Sequence, residues 1–494
     1  MGEPIQRGHL FRTDGVRGIA GHDVTAALAL DLSVAAAAVL GRHGEGGSGD
    51  PGVARPGIPV AVVGRDPRAS GGFLEAAVVA GLASAGVDVL LLGVIPTPGV
   101  AYLTQALGAA FGVVISASHN PASYNGIKFF GPGGAKLPSD MEDRIEARLR
   151  SAQPSPANTF FGKVADASTE HERYLDHLLS TLPAPHERLP GRTPPRARDL
   201  PARPQALAGL RIVADCAHGA AYRIAPEALR RAGAEVVTIG AEPDGLNIND
   251  SYGSTSLGTV AAAVVEYGAD AGVAYDGDAD RCLAVDADGQ PVDGDQILTL
   301  LATELKESGR LAHDGVVVTV MSNQGFHVAM REVGITVIET PVGDKHVSAA
   351  MLDGGYVLGG EPSGHIIMGE YAATGDGILT SLQLLAAVNR RGITMATAAK
   401  MMRKFPQLLV NVPGDASQLG PGVAAAVSRA ESKLGGNGRV LVRPSGTEPA
   451  IRLMVQAADA DLAEQVIGQL AAEVRLALAE RPRTSTSRDR SRSR

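Results

Sequence analysis

Short runs of Val, Ile and Leu alternate along this chain with Ala-rich stretches of helical period. The first set is PVAVVG (residues 59–64), LEAAVVAGLASAG (74–86) and VDVLLLGV (87–94). Strand, helix and strand in that succession predict βαβ units in a largely parallel sheet. The pattern restarts at LRIVADCAHG (210–219), with EALRRAG as helix and EVVTIG as the next strand. It restarts again at GVVVTVMSN (315–323), followed by a helical stretch over 324–333 and by ITVIET. Three similar α/β units in series are the economical reading. A last unit runs from about residue 408 and holds strands RVLVRP and AIRLMVQA. Its final helix is expected to open at Asp461, with Glu464 at capping-box spacing.

Two segments dense in Gly, Pro and Arg, residues 41–57 and 182–204, read as surface insertions, the second bridging two domains. The Ser/Arg stretch after Glu480 is low in complexity and predicted to be disordered. At 494 residues the chain suits three to four domains of about 100–200 residues each. Aromatic residues are scarce at 4% and Trp is absent, so the interior must rest on Ala, Val, Leu and Ile.

The net charge of −8 hides an asymmetry. The last 14 residues hold six Arg against one Asp, leaving a net of −13 on the rest. So acidic a body is a poor match for nucleic acid, and any phosphate chemistry must be local. Cys216 and Cys282 sit in apolar stretches that read as strand interior, and two cysteines make no disulfide framework. Every apolar run is cut before about 18 residues and the N-terminus lacks a signal-peptide core, so a cytoplasmic protein without membrane insertion is expected.

Four motifs carry candidate chemistry. In AGVAYDGDADRCLAVDADG (271–289), Asp276, Asp278 and Asp280 alternate at the end of an apolar strand. Carboxylates so close repel one another without a cation, and hard oxygen ligands select Mg²⁺ or Ca²⁺. An EF-hand is excluded, because counting from Asp276 the sixth position is Arg281 and the twelfth Ala287. An acidic surface turn is the bland alternative. In FGVVISASHNPASYNGIKFFGPGG (111–134), a buried-type strand runs into a polar turn with Ser116, Ser118, His119 and Asn120. Ligands of open α/β sheets collect at such strand ends. Taken alone, Ser118 and Asn120 read more simply as turn caps. No GxSxG elbow surrounds Ser118, so a hydrolase template has no support. In LGGEPSGHIIMG (358–369), Glu361, Ser363 and His365 would face one side of an extended segment and suit a polyol, or else a solvated strand face. In RVLVRPSGTEPAIRLMVQ (439–456), Arg443, Ser445, Gly446, Thr447 and Arg452 bracket a turn able to cradle a phosphate dianion, or form a plain hairpin.

Together and in this order the four segments resemble the α-D-phosphohexomutase superfamily over residues 8–480. FRTDGVRG, SASHNP, DCAHGAAY, DGLNINDSYGST, YDGDADRC, VGDKHV and RPSGTEP look like its glucosamine branch. The mannose/glucose branch usually reads TGSHNP, so Ala117 leans toward glucosamine. The resemblance implies three related mixed α/β domains, 1–184, 185–297 and 298–407, plus a smaller C-terminal α+β domain, 408–480, around a central cleft, followed by the 481–494 tail. It implies Ser118 as phosphoacceptor, Mg²⁺ shared by Asp276, Asp278, Asp280 and the Ser118 phosphate, sugar contacts from Glu361, Ser363 and His365, and a phosphate grip by Arg443, Ser445, Gly446, Thr447 and Arg452. Arg17, His119, Lys128 and Arg281 match positions lining the reaction site. Two departures are Arg12, where the family usually has Gly, and Pro362, where it commonly has Gln or Met.

The implied activity moves phosphate between the 6- and 1-positions of glucosamine phosphate through glucosamine 1,6-bisphosphate, feeding UDP-N-acetylglucosamine and cell-wall synthesis. The implied partners are a small phosphosugar and, at most, a second copy in a homodimer, with neither nucleic acid nor membrane. Glucose or mannose phosphates are the nearest alternative substrates. A catalytically silent sugar-phosphate sensor is a further one, against which the intact serine and aspartates argue. A third, that the Arg/Ser tail makes an RNA-associated protein, predicts salt-sensitive binding lost with residues 481–494.

Overall fold

The computed structural model describes residues 9–11, 15–41, 55, 57–151, 160–182, 205–414, 419–435, 438–444 and 450–479. Most of both insertions, the Arg/Ser tail and Arg12 lie outside the described residues. The chain divides into two compact units, Met1–Ser322 with Met330–Met401, and Asn323–Ala329 with Met402–Arg494.

The first unit contains three sheets. Strands β1 (Val16–Ile19), β2 (Val60–Arg65), β3 (Asp88–Val94), β4 (Phe111–Ile115), β5 (Tyr124–Phe130) and β6 (Val164–Asp166) lie in the order β1-β5-β4-β2-β3-β6. Helices α1 (Ala26–Leu40), α2 (Gly71–Ser84), α3 (Thr97–Ala106), α4 (Ser139–Arg150) and α5 (His171–Ser180) accompany it. Phe111 to Ile115 of β4 are all buried, the unbroken apolar run that a strand covered on both faces requires. The second sheet joins β7 (Arg211–Asp215), β8 (Glu235–Ile239), β9 (Ala271–Tyr275), β10 (Cys282–Asp286) and β11 (Pro291–Val292) in the order β11-β10-β9-β7-β8, with α6 (Ile224–Arg231) and α7 (Gly258–Tyr267). The third joins β12 (Gly315–Thr319), β13 (Thr336–Thr340), β14 (Leu358–Gly360) and β15 (Ile366–Met368) in the order β13-β12-β14-β15. Its segment also supplies α8 (Gly294–Glu307), α10 (Asp344–Gly354), α11 (Gly377–Arg391) and α12 (Met395–Ala399), while α9 (Gln324–Glu332) begins within the Asn323–Ala329 stretch of the second unit.

One motif repeats three times: β3-β2-β4-β5, β8-β7-β9-β10 and β13-β12-β14-β15 share one order, parallel except for the last strand. The sheets are therefore mixed rather than largely parallel. After β4, β9 and β14 the chain turns back through a short loop, and only a helical crossover could have delivered a parallel neighbour. Those three reversals are the segments carrying Ser118, the Asp276–Asp280 run and Glu361–His365.

In the second unit, β16 (Gln407–Pro413), β17 (Gly438–Pro444) and β18 (Ala450–Ala457) form an antiparallel sheet in the order β16-β18-β17. Helices α13 (Pro421–Leu434) and α14 (Ala460–Ala479) pack on it around Val423, Ile451, Leu453, Val466 and Leu470. The expected cap at Asp461 is corrected: Asp459 takes the Leu462 N–H at 3.0 Å, and Asp461 lies inside the first turn. Cys216 and Cys282 are buried free thiols, Cys216 just past the end of β7 and Cys282 on β10, and burial pushes both well above the ordinary thiol range.

Candidate active site

The reversal after β4 holds Ser118 in the left-handed region, φ 51°, which a residue with a Cβ adopts only when its surroundings compel it. The compulsion is visible. The Ser118 N–H donates to Ser116 Oγ at 2.9 Å, and Ser116 Oγ donates to Asp66 Oδ2 at 2.6 Å. Asp66 forms a fully buried ion pair with Arg68, Nε to Oδ2 2.8 Å. The Arg68 guanidinium then donates to the carbonyl oxygens of Ser118 (2.8 Å), Asn120 (2.8 Å), Tyr124 (3.1 Å) and Pro121. A buried charge is tolerable when every donor is engaged, and here the pair fixes the loop.

Ser118 is 1% exposed, and its hydroxyl donates to Asp276 Oδ2 at 2.6 Å. Asp276, Asp278 and Asp280 are all buried and each turns an oxygen toward the others, within 4.8 Å. Burial, then repulsion from Asp280 and Asp278, pushes the Asp276 carboxyl well above the usual range. Asp280 goes the other way: burial opposes its ionisation, yet His365, Lys128 and Arg281 hold it well below that range. Lys128, on β5, donates to Asp278 Oδ2 at 2.8 Å, and Thr97 Oγ1 donates to the same oxygen at 2.7 Å. Asp278 Oδ1 and Asp280 Oδ1 are buried without a hydrogen-bond partner. Converging, partly unsatisfied carboxylate oxygens are the donor set a hard divalent cation takes, so these residues fit Mg²⁺.

Arg281 donates its N–H to Asp276 Oδ1 at 3.2 Å, and its Nε is 3.8 Å from Asp280 Oδ1. His119 Nδ1 is 3.4 Å from Ser118 Oγ. Burial, then the Arg281 and Arg17 charges, lowers the His119 pKa to about 4, so the ring is neutral at pH 7. Arg17 stands on β1 opposite Gly126 of β5, where a Cβ would come 2.9 Å from Arg17 Cγ.

The segment 361–365 is not extended, contrary to the sequence expectation. Gly364 N–H bonds Glu361 O at 3.0 Å and Glu361 N–H bonds His365 O at 3.0 Å, a tight reversal with Gly364 at φ 88°. Pro362 occupies the second turn position, where its ring is favoured, so this departure from the family costs nothing locally. Glu361 Oε1 accepts the Gly343 N–H at 3.2 Å, and Ser363 Oγ is buried with no partner. His365 is 2% exposed: Nδ1 lies 3.7 Å from Asp280 Oδ2, and Nε2 accepts the Gly375 N–H at 3.2 Å. It sits against the carboxylate cluster rather than beside Ser363 on one open face.

The second unit carries its own cationic feature. Arg443 and Arg452 face each other directly across β17 and β18, and Arg452 Nε is buried without a partner. Burial and the facing Arg452 lower the Arg443 pKa. Like charges paired on a ladder destabilise it unless an anion joins them. Ser445, Gly446 and Thr447 lie outside the described residues.

Sequence reasoning assigned no role to Asp66, Arg68, Thr97 or Asn249, which hold the Ser118 and aspartate loops. For Asp66 and Arg68 the readable signal was local: GRDPR at the end of buried β2 places a charged pair where polar groups are rarely free.

Comparison with known proteins is consistent along the chain. Families described as phosphoglucomutase/phosphomannomutase, alpha/beta/alpha domains I, II and III, match residues 8–155, 197–289 and 293–405. The C-terminal domain of the same group matches 398–473. The chain is 55% identical over 469 residues to a phosphoglucosamine mutase of Thermobifida fusca (strain YX), covering 94% of this chain and 98% of that one. It is 53% identical to a phosphoglucosamine mutase of Streptomyces avermitilis, covering 95% and 100%. Among solved structures, a putative phosphomannomutase from Thermus thermophilus superposes with TM-score 0.72 at 25% identity, covering 96% and 100%. Aspergillus fumigatus N-acetylphosphoglucosamine mutase, in complex with GlcNAc-6P and magnesium, does so at 0.63 and 17%, covering 94% and 95%, and shares the fold.

Proposed function

The chain belongs to the phosphoglucomutase/phosphomannomutase family, and from that premise we propose that it is a phosphoglucosamine mutase working through phosphorylated Ser118. It interconverts glucosamine 6-phosphate and glucosamine 1-phosphate, the activity for which its relatives at 52–55% identity are named. The carrying observation is Ser118, strained at a strand end with its Oγ 2.6 Å from the Asp276 carboxylate.

In this reading the sugar O1 attacks the phosphorus on Ser118, forming the O1–P bond as the P–Oγ bond breaks, and a base accepts the O1 proton. The resulting glucosamine 1,6-bisphosphate turns end for end. Oγ then takes the 6-phosphate back, and O6 regains a proton. Arg281 and Lys128 place positive charge beside the transferring phosphoryl group, whose chemistry is mainly positioning and charge stabilisation. His119, neutral and 3.4 Å from Oγ, is the proton carrier nearest the reacting oxygen, and Lys128 is the other candidate. Asp276, Asp278 and Asp280 would hold Mg²⁺, which when bound offsets the roughly −1.5 to −2 charge of phosphoserine. Glu361 and Ser363 offer sugar-hydroxyl contacts, with His365 behind them. Arg443 and Arg452, with Ser445, Gly446 and Thr447, grip the phosphate that is not reacting. The domains follow as 1–184, 185–297, 298–407 and 408–480.

No helix among the described residues is long and apolar enough to cross a membrane, and a cytoplasmic location is part of this reading. A homodimer is compatible with this assignment. Turnover of glucosamine 6-phosphate, side by side with glucose and mannose 6-phosphates, tests it: glucosamine should lead. Ser118→Ala should be inactive, and intact-mass analysis should find phosphate on Ser118. Wild-type turnover in that variant would overturn the scheme.

A further inference from the structure

The strain at Ser118 is maintained from two sides, and only one belongs to its own sheet. The loop between β8 and α7 supplies the other. That loop is braced internally: Asp244 Oδ1 accepts the N–H groups of Leu246 (2.7 Å) and Asn247 (2.9 Å), and Asn247 Nδ2 donates to Glu242 O at 3.0 Å. It is also tied outward, because Gly245 O accepts the Ala69 N–H at 2.9 Å, next to Arg68.

Midway along it stands Asn249, itself left-handed at φ 61°, with its N–H on Ala217 O at 2.9 Å. Its Nδ2 donates to Ser118 O at 2.9 Å and Asn120 O at 3.1 Å. Two carbonyl acceptors fix which side-chain atom is the nitrogen. The metal-loop glycine closes the same contact: a Cβ on Gly277 would lie 2.5 Å from Ser118 O and 2.8 Å from Asn249 Nδ2. One amide thus holds the backbone of the acceptor serine and leaves no room for a side chain at Gly277 of the loop that carries the aspartates.

We propose that Asn249 is a positioning residue for phosphoryl transfer, clamping the Ser118 carbonyl so that Oγ stays in register with Asp276. With Arg68 on the same carbonyl, the Ser118 peptide is held by one donor from its own sheet and one from the next. The inference rests on Ser118 being the phosphoacceptor. Loosening the clamp lets the left-handed serine relax, which moves Oγ without touching sugar or phosphate contacts.

The test compares Asn249→Ala and Asn249→Asp with wild type and Ser118→Ala. Loss of the amide should lower kcat about ten-fold in Asn249→Ala, with KM for glucosamine 6-phosphate within about two-fold. Asn249→Asp should be the worse of the two despite its matching shape, because it sets a carboxylate against two carbonyl oxygens. Transfer of phosphate from prephosphorylated enzyme to glucosamine 6-phosphate, followed by intact mass in a single turnover, should slow in the same order. Melting temperatures measured alongside identify any variant that has merely unfolded. A milder Asn249→Asp than Asn249→Ala, a loss confined to KM, or unchanged single-turnover rates in folded variants would overturn the proposal. A fully active Ser118→Ala would instead overturn the acceptor assignment beneath it.

Discussion

Lys128 lies between two of the three aspartates, 2.8 Å from Asp278 and 3.9 Å from Asp280, at 3% exposure. Removing one partner of a buried pair costs about 3–5 kcal/mol, because the remaining charge has no water to turn to. Lys128→Met should therefore melt well below wild type in EDTA. Mg²⁺ held by the same carboxylates would supply the missing charge, so adding it should narrow the gap. Thermal melts with and without Mg²⁺ check this, and a gap indifferent to the cation would remove the carboxylates from the metal site. Asp376 offers a second, cleaner titration. It caps α11 through Leu379 N–H at 2.9 Å and accepts the Tyr174 hydroxyl at 2.8 Å. Burial nevertheless raises its pKa from 3.8 to about 6. The folded state then binds its proton more tightly than the unfolded chain does. This carboxyl costs nothing below about pH 4, becomes costly as pH climbs to about 6, and above that subtracts up to ~3 kcal/mol. Asn at 376 keeps the cap and removes the charge. The melting temperature of Asp376→Asn relative to wild type should rise between pH 4 and pH 7, whereas a flat difference would mean the carboxyl titrates normally. What could be read from sequence at this scale was whatever a motif carries within a few positions, such as Ser118 beside His119 or the alternating aspartates. Arg68, Thr97 and Asn249 reach their partners across 50, 181 and 131 positions, and no local pattern encodes that reach.

At the scale of elements, hydrophobic pattern located β2, β3, β7, β8, β12 and β13 closely, because short runs rich in Val, Ile and Leu bounded by turn residues read as strands. Reversals were harder. The parallel reading failed at β5, β10 and β15, since an apolar strand looks the same whichever way it runs. The 361–365 segment contained its own correction in Pro362 and Gly364, residues that favour a turn over an extended strand. The start of α14 is the same kind of miss: Asp459 and Asp461 both stand at the opening of the helical stretch, and only the chain path decides which carboxylate meets an N–H. Asp459→Ala should therefore cost about 1 kcal/mol, while Asp461→Ala should stay within about 0.5 kcal/mol. Guanidinium melts of the two variants check the assignment, and equal losses would mean that the cap is shared.

At the scale of the whole molecule, two units with separate hydrophobic cores also carry separate ligand chemistry. The carboxylate cluster lies in the first and the Arg443–Arg452 pair in the second. A ligand that binds only folded protein stabilises what it binds, by RT ln(1 + [L]/Kd). Chains of this size need not unfold in one step. Calorimetry should accordingly resolve more than one transition. Mg²⁺ should raise the one that reports the first unit, through the aspartates. Inorganic phosphate should raise the one that reports the second, by joining two guanidinium groups that otherwise repel. Arg452→Ala removes one of those groups and half of the repulsion with it, so its second-unit transition should start no lower in phosphate-free buffer yet lose most of its response to phosphate. Arg452→Ala should leave the Mg²⁺ response intact. A phosphate shift that survives Arg452→Ala would place the anion elsewhere, and one transition that moves equally with both ligands would show the two units to unfold as one.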